Sequence, residues 1–323
     1  MRQIAVTFAS ILVVVFFCLY FVGIFIQTTS ILPFSYFFEF IPDYFLVLLL
    51  LPILCTKFRF KFWLVTFLFL VILNASPFRI SFNEVKKNES DPSTINIASF
   101  NTAQRIDGKE LYRWFLEREL DILFVQESKD SLFDDSSKIG LFSTCKHRLC
   151  VLSRHPIESL ESLDRRPLGG WGSFSAAHSV NIRGHRVLIV NTHFSSISNF
   201  GYEFSSLKGL FAKIGLFVDQ KDVEFALVNA MVDRLEYYGK VIIAGDFNIT
   251  DRNPQYKKHW GHFVNLFSEV GTGYGVTRKS RLLFPRIDHI LIGDAFEPHS
   301  VFIDSDMGSD HFPLVGTLEL TIR

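Results

Sequence analysis

Polar side chains that can bind a metal ion or move a proton follow apolar runs at several separate places in this sequence. In residues 240–250, KVIIAGDFNIT, four apolar residues lead into Gly245, Asp246 and Asn248. A strand buried on both faces has this continuous apolar pattern, and the loop after such a strand commonly carries catalytic groups. Asn101, Glu127 and His193 follow apolar runs in the same way, and further candidates lie near the C-terminus: Asp288 in RIDHILIG, and Asp310 and His311 in GSDHFP.

Each of these residues alone also has an ordinary structural interpretation. A carboxylate at a strand end is usually solvated, and a lone histidine is usually a satisfied core or surface residue. Asp246 could close an ordinary Asx turn. The whole set, made only of residue types that bind metal ions or handle protons, favours a catalytic site.

The chemistry that fits these groups is hydrolysis of a phosphate ester. Glu127 and Asp310 offer the hard oxygen ligands that Mg²⁺ prefers, with water and phosphate oxygens completing the coordination. A metal ion would polarise the phosphoryl group and stabilise the leaving oxygen. Asp246 could orient an attacking water or accept its proton. No histidines or cysteines have the spacing of a zinc site.

The remaining candidates suit the negative charge that develops on the phosphate. Asn101, Asn248 and His193 can donate hydrogen bonds to phosphoryl oxygens. Asp288 could fix the tautomer of His311 and raise its pKa, which would let the histidine contact phosphate or transfer protons.

The elements that must position these groups alternate between strands and helices after residue 94. Helices are predicted at 109–120 and 223–237. Strands are predicted at 95–100, 122–125, 149–153, 173–182, 186–191, 240–247, 286–293 and 314–321. Many strands with few helices, mixing hairpins and crossovers, predict an α/β (α+β) domain of two packed sheets flanked by helices over residues 94–323.

The first 80 residues have the composition of a membrane region. Residues 4–26 carry no charged side chain, and at about 1.5 Å per residue this run crosses a bilayer core. We interpret it as an uncleaved transmembrane helix, because a signal peptide has a shorter apolar run and a small-residue cleavage site. Two further spans are predicted at 36–56 and 58–76, with a single buried or re-entrant hairpin as the alternative.

Positive residues predict how these spans are oriented. Arg2 and the cluster of Lys57, Arg59 and Lys61 are expected on the cytoplasmic side, whereas residues 27–43 contain no Lys or Arg. Three crossings of the cell membrane satisfy both conditions. They place the domain outside the cytoplasm, next to the lipid bilayer, after a polar linker at 81–93.

Two features of the domain are left open by the sequence. Cys145 and Cys150 could form a disulfide across a hairpin outside the cytoplasm, or they could be two free thiols. The Phe- and Leu-rich insert at 200–218 has helical spacing of its apolar residues. It could be a helix packed on the domain or an interfacial helix that lies on the bilayer.

The types of the candidate site residues and their order along the chain resemble those of the endonuclease/exonuclease/phosphatase superfamily of deoxyribonuclease-like phosphoesterases. The resemblance covers about residues 94–323. Its specific pieces are QE at 126–127, NTH at 191–193, GDFN at 245–248, RIDH at 286–289 and SDH at 309–311. It implies a four-layer sandwich of two β-sheets with outer helices, and attack by water, dependent on Mg²⁺ or Mn²⁺, without a covalent intermediate.

The same resemblance divides the candidate residues into two groups. The metal site would comprise Asn101, Glu127 and, near it, Asp310. The catalytic group would comprise Asp246 for the water, Asn248 and His193 for the phosphate, and an acid–histidine pair of Asp288 and His311.

Three spans followed by such a domain also resemble a membrane-bound bacterial subgroup related to the teicoplanin-resistance membrane protein, which is associated with lipid-linked pyrophosphate chemistry. The expected function is therefore a membrane-anchored phosphoesterase whose substrate is a phosphate ester, such as a lipid-linked pyrophosphate. A surface nuclease acting on DNA or RNA is the alternative. The slightly negative charge after residue 80 counts against it, since duplex binders usually carry a basic face. A non-catalytic membrane scaffold is disfavoured by the complete set of site residues.

Overall fold

The computed structural model describes residues 81–82, 93–196, 207–280 and 285–321. The three predicted transmembrane spans, most of the predicted linker and the first part of the apolar insert lie outside the described residues. Within the described part of the chain, no helix combines the length and the apolar character needed to cross a membrane.

The described chain contains fourteen strands and four α-helices. The strands are β1 (Ser81–Phe82), β2 (Thr94–Asn101), β3 (Ile122–Gln126), β4 (Phe142–Lys146), β5 (Leu149–Ser153), β6 (Ile157–Asp164), β7 (Ser173–Ile182), β8 (His185–His193), β9 (Val241–Asp246), β10 (Val264–Asn265), β11 (Thr272–Gly273), β12 (Asp288–Ile292), β13 (Phe296–Ile303) and β14 (Leu314–Leu320). The helices are α1 (Gly108–Glu117), α2 (Leu207–Leu235), α3 (Pro254–Trp260) and α4 (Leu266–Val270). Short 3-10 turns lie at Asp130–Phe133, Ser136–Ile139 and Arg166–Leu168.

Two mixed six-stranded sheets form the centre of the domain. The first sheet has the strand order β13-β14-β2-β3-β5-β4, and the second has the order β10-β12-β9-β8-β7-β6. The parallel pairs are β2 with β3 in the first sheet and β8 with β9 in the second, while the other pairs are antiparallel. Strand β1 pairs with β11 in a separate two-stranded ribbon.

Strand β9 explains why the apolar run before Asp246 is continuous. Ile242 and Ala244 point into the core between the two sheets, while Val241 and Ile243 point into an outer core that includes α2 and α3. Successive side chains of a strand face opposite sides, so a strand covered on both sides needs apolar residues at every position.

The outer face of the first sheet is covered in the same way by α1. Leu111, Trp114 and Phe115 of this helix pack with Phe100 and Leu123 of the sheet. The layers are therefore helix, sheet, sheet and helix, which confirms the predicted sandwich of two packed sheets flanked by helices.

Helix α2 differs from the prediction of a helix over 223–237, because it begins at Leu207 and includes much of the apolar insert. Ile214, Phe217 and Val218 lie in the outer core of the second sheet, so this part of the insert packs on the domain. The prediction was wrong about the start of the helix because the apolar character of the insert obscured its continuity with the amphipathic part.

Strands β4, β6 and β13 were missed by the sequence analysis. All three lie at sheet edges, and their residues are largely exposed or half-buried. An edge strand that is only partly covered does not need the apolar pattern that marks the central strands. The β4–β5 hairpin brings Cys145 opposite Cys150, and a disulfide joins them, so the alternative of two free thiols was wrong.

Candidate active site

Strand register brings three of the predicted catalytic residues into one row across the second sheet. Asp246 at the end of β9 lies opposite His193 of β8 and opposite Asp288 of β12. In the first sheet, Asn101 at the end of β2 pairs with Gln126 at the end of β3, and Glu127 follows directly. The candidate residues therefore gather where neighbouring strands of both sheets end.

Hydrogen bonds between side chains hold these two sheet ends together. Gln126 Nε2 donates to Asn191 Oδ1 over 2.8 Å, and Asn191 Nδ2 donates to the carbonyls of Val125 and Cys150. Gln126 and Asn191 are fully buried. The polar residues that precede Glu127 and His193 in the QE and NTH motifs thus connect the first sheet to the second.

The backbone is unusual at the same strand ends. Gly245 has φ +149°, and a Cβ at this position would lie 1.9 Å from the carbonyl oxygen of Thr192 on β8, so only glycine fits. Glu127 and Asn248 have φ of 49° and 52°, in the left-handed region that side chains rarely adopt. Backbone strain of this kind is concentrated at functional sites.

Asn101 connects the carboxylates of the two sheets. Its Nδ2 donates to Glu127 Oε1 over 3.0 Å and to Asp246 Oδ2 over 3.1 Å. His193 Nε2 lies 3.4 Å from Glu127 Oε1 and 3.8 Å from Asp246 Oδ2. Desolvation of His193 lowers its pKa to about 4, so the ring is neutral near pH 7.

A second group, fully buried, surrounds His311. Its Nδ1 is 2.8 Å from Asp288 Oδ2, and its Nε2 is 3.7 Å from Asp246 Oδ2. Burial acts to lower the pKa of His311, but the charges of Asp288 and Asp246 outweigh it and raise the pKa to about 9. Burial and the repulsion from Asp288 raise the pKa of Asp246. An imidazolium therefore lies between two carboxylates.

The side chains of Asn248 and Asp310 lie outside both the group around His193 and the group around His311. The backbone N–H of Asn248 donates to Asp246 Oδ1 over 2.8 Å, and its Nδ2 donates to the carbonyl of Phe194 over 3.0 Å. Asp310 Oδ2 lies 3.9 Å from Arg278 Nη2, while Oδ1 is buried without a hydrogen bond. The carboxylate of Asp310 thus belongs to neither group of clustered side chains, and its role as a metal ligand stays a prediction.

A divalent cation fits one of these two groups better than the other. The ligand atoms of Glu127, His193 and Asp246 lie within 4.8 Å of one another, as do those of Asp246, Asp288 and His311. In the second group, His311 is held protonated by Asp288 and Asp246 and already supplies a positive charge. The first group has a neutral histidine and a Glu127 side chain that is 35% exposed, so it can accept an ion from solvent.

Helix α2 contributes a residue that the sequence analysis missed. Lys221 is fully buried, and its Nζ donates to the carbonyls of Phe247 and Asn248 over 2.9 and 3.2 Å. It therefore holds the loop that follows Asp246. A lysine inside a helical pattern normally indicates the solvent face, so only the tertiary structure shows that this one points inward.

A buried ion pair supports the loop after His193 in a similar way. Arg165 Nε lies 3.1 Å from Glu224 Oε1, and Arg165 also donates to the carbonyl of His193. Glu224 Oε2 accepts the backbone N–H of Ser195 over 2.8 Å. The structure therefore places Arg165 in a network that supports the end of β8.

Comparison with known proteins gives the same fold. A model of the Endonuclease/Exonuclease/phosphatase family matches residues 93–311. An endonuclease/exonuclease/phosphatase from Beutenbergia cavernae has a TM-score of 0.55 at 17% identity, covering 71% of this chain and 72% of its own. No curated protein matches the sequence.

Two further solved structures are similar. TDP2 of D. rerio, humanized by 14 mutations, has a TM-score of 0.53 at 15% identity, covering 70% of this chain and 99% of its own. The catalytic domain of human Nocturnin has a TM-score of 0.51 at 17% identity, covering 71% of this chain and 95% of its own. At such low identities the likeness establishes the fold alone.

Proposed function

Because the chain belongs to the endonuclease/exonuclease/phosphatase family of phosphoester hydrolases, we propose that this site hydrolyses a phosphate ester or pyrophosphate by direct attack of water. The observation that carries the proposal is the convergence on Asp246 of Asn101 from the first sheet with His193 and His311. Burial raises the pKa of Asp246, so its ionised carboxylate is a stronger base toward water than an exposed aspartate would be.

The neighbours of Asp246 suit the other requirements of this reaction. His311, charged and held at Nδ1 by Asp288, directs Nε2–H toward the space beside Asp246, where it can donate to a phosphoryl oxygen. Neutral His193 has one N–H for the same purpose. These donors are fixed before substrate arrives, so no reorganisation opposes the stabilisation of developing charge.

Family members use divalent metals, and we propose Mg²⁺ or Mn²⁺ on the Glu127 side of the site. Glu127 and Asn101 would hold the ion, with Asp310 as the predicted additional ligand. When bound, the metal polarises the phosphoryl group and offsets the charge of the leaving oxygen.

We further propose that the chain is anchored in the cell membrane and that its substrate is lipid-linked. The support is the apolar character of residues 1–80 and the absence of Lys and Arg in residues 27–43. The Cys145–Cys150 disulfide supports a location outside the cytoplasm, since such bonds persist in oxidising compartments. The bilayer would then be a permanent partner of the domain.

Turnover by the full-length chain in detergent micelles with Mg²⁺ tests the function. The substrates are a polyprenyl pyrophosphate, phospholipids, plasmid DNA and RNA, with Asp246→Asn as the inactive control. The proposal expects hydrolysis of a lipid substrate that depends on Asp246. DNA or RNA cleavage without lipid turnover would replace the lipid substrate with a nuclease function, and no Asp246-dependent turnover at all would sink the hydrolase proposal for these substrates.

The proposed location has its own test. A reporter that is active only in the cytoplasm, fused after Arg323, should be silent in cells that make the full chain. The same reporter fused after residue 57 should be active. An active reporter after Arg323 would contradict the proposed topology.

A further inference from the structure

Arg278 brings a guanidinium group to the His311 side of the candidate active site. It lies in a short segment, residues 277–279, that belongs to neither six-stranded sheet. The backbone of Arg278 forms an isolated antiparallel bridge with His311. Residues that lie directly opposite one another in an antiparallel pair project their side chains to the same face, so the side chain of Arg278 leaves the backbone beside that of His311.

The residue before Arg278 fixes this segment to two parts of the active site. Thr277 is fully buried, and its Oγ1 accepts the backbone N–H groups of Ile287 and Asp288 over 3.0 and 3.1 Å. The carbonyl of Thr277 accepts the N–H of Phe312 over 2.7 Å. Thr277 therefore joins the start of β12 to the loop before β14, and the position of Arg278 beside both is set by the backbone.

The charge of Arg278 acts on two groups of the proposed reaction. Burial lowers the pKa of His311, the charges of Asp288 and Asp246 raise it, and Arg278 acts with burial to lower it. Burial and the charge of Asp288 raise the pKa of Asp246, and Arg278 is among the cations that oppose this rise. The guanidinium is therefore close enough to the site for both groups to respond to its charge.

The guanidinium of Arg278 is open to solvent and weakly engaged. Its side chain is 38% exposed, and Asp310 Oδ2 lies 3.9 Å from Nη2, beyond hydrogen-bonding distance. Within the part of the chain that the structure describes, the guanidinium donates no side-chain hydrogen bond. By contrast, Arg165 behind the site donates to Glu224 from a buried position. The N–H groups of Arg278 are therefore available to a ligand.

An ordinary surface ion pair with Asp310 is the alternative interpretation of Arg278. Pairs between partly exposed side chains are common and contribute little to stability. A pair of that kind needs neither the backbone bridge to His311 nor the buried anchor at Thr277. A residue that contacts substrate needs both, because its donors must be held in place before substrate arrives.

We propose that Arg278 binds the phosphate group that is attacked, beside His311. The inference rests on the proposed phosphoesterase function and adds a residue that lies in none of the sequence motifs and in neither cluster of possible metal ligands. A guanidinium presents paired N–H groups that match two phosphate oxygens. Negative charge increases on these oxygens as water attacks, and Arg278 stabilises it together with the N–H of His311.

Binding of methylphosphonate, which water does not hydrolyse, tests Arg278 independently of turnover. This anion is titrated calorimetrically, with Mg²⁺ present, into the full-length chain in detergent micelles. Arg278→Gln should bind it at least about tenfold more weakly than wild type, since a charge-assisted hydrogen bond contributes on this scale. Arg278→Lys keeps the charge but loses the paired N–H groups, so its affinity should lie between the two.

Arg113→Gln is the matched control, because Arg113 is an exposed arginine of α1 on the outer helix layer. It should bind methylphosphonate as wild type does. Circular dichroism should be unchanged in every variant, since the side chains of Arg278 and Arg113 both reach solvent. Wild-type affinity in Arg278→Gln, an equal loss in Arg113→Gln, or no binding by wild type would overturn the inference.

The turnover assay separates this inference from the proposed function. With a hydrolysed substrate, Arg278→Gln should lower kcat/KM at least about tenfold, and Arg113→Gln should leave it unchanged. Absence of Asp246-dependent turnover in wild type would count against the proposed function. Loss of methylphosphonate binding in Arg278→Gln would still support the phosphate contact, so the two failures are distinguishable.

Discussion

The two halves of the candidate site are built in opposite ways. At the ends of β9 and β12 in the second sheet, the side chains of Asp246 and Asp288 are 2% and 1% exposed, and His311, from the loop before β14, is 3% exposed beside them. Directly after β3 of the first sheet, the side chain of Glu127 is 35% exposed. The backbone φ of Glu127, 49°, lies in the left-handed region. One half is a closed set of charges, and the other is open to solvent.

This difference indicates a division of labour. Inside the protein, each charge of the buried half depends on its neighbour, because an ion without a partner is costly to keep away from water. In the open half, the Glu127 carboxylate is in contact with solvent, so it can bind and release a metal ion and substrate. Substitutions in the buried half should therefore act on the chemical step, and those in the open half should act on binding.

The largest effect should come from the buried half. Asp246→Asn removes the base at the point where the two halves meet, so kcat should fall by roughly 10³-fold or more. The asparagine keeps the size of the side chain, so circular dichroism and KM should change little. Asp233→Asn, at an exposed position of α2, is the matched control and should leave kcat unchanged. A large rise in KM with normal kcat in Asp246→Asn would contradict the assignment of the chemical step to the buried half.

An intermediate effect should come from the support behind the buried half. Lys221→Met removes the donor to the carbonyls of Phe247 and Asn248, so the loop beyond Asp246 can shift. Misplacement of catalytic groups is costly, and we expect kcat to fall about tenfold with KM within about threefold. Steady-state kinetics measure both, with exposed Lys257→Met of α3 as control. An effect on KM alone would show that this loop serves binding.

The last comparison concerns stability in acid rather than activity, and it contrasts the site with a buried histidine outside it. Burial lowers the pKa of His178 to about 4, from 6.5. Between these pH values the imidazole of His178 stays neutral in the folded protein but takes up a proton in the unfolded chain. The free energy of unfolding therefore falls as pH drops from 6.5 toward 4. The loss from this group is at most about 3 kcal/mol.

His178→Gln should reduce that acid loss without affecting activity. Urea midpoints at pH 7 and pH 5 measure it, and the difference between them should be smaller in the variant than in wild type. An unchanged difference would mean that other groups, such as His289 with its pKa lowered to about 4, account for the acid sensitivity.

Sequence reasoning reached the central part of the fold because periodicity is strongest there. Strands β3 and β9 are covered on both faces, and their continuous apolar runs mark them. The edge strands β4, β6 and β13 escaped because partial exposure imposes no such pattern. The start of α2 escaped because a run of Phe and Leu has the same appearance in a packed helix and in a membrane surface helix.

The site residues could be found individually but not as an arrangement. Strand ends carrying Asn101, Glu127 and Asp246 are visible in the sequence, whereas the contacts between them join residues up to 145 positions apart. The inward direction of Lys221 depends on how α2 packs, which no local pattern records. The separation of Asp310 from Glu127 and Asp246 likewise follows from tertiary structure.

The measurement that tests the two-part site most directly is Mn²⁺ binding followed by electron paramagnetic resonance. Wild type, Glu127→Gln and Asp288→Asn are titrated as full-length chains in detergent micelles. Glu127→Gln should need about 100-fold more Mn²⁺ or fail to bind it, since even an outer neighbour of a metal ligand contributes 10- to 100-fold. Asp288→Asn should bind nearly as wild type does. Loss of Mn²⁺ binding in Asp288→Asn, with normal binding in Glu127→Gln, would contradict the account.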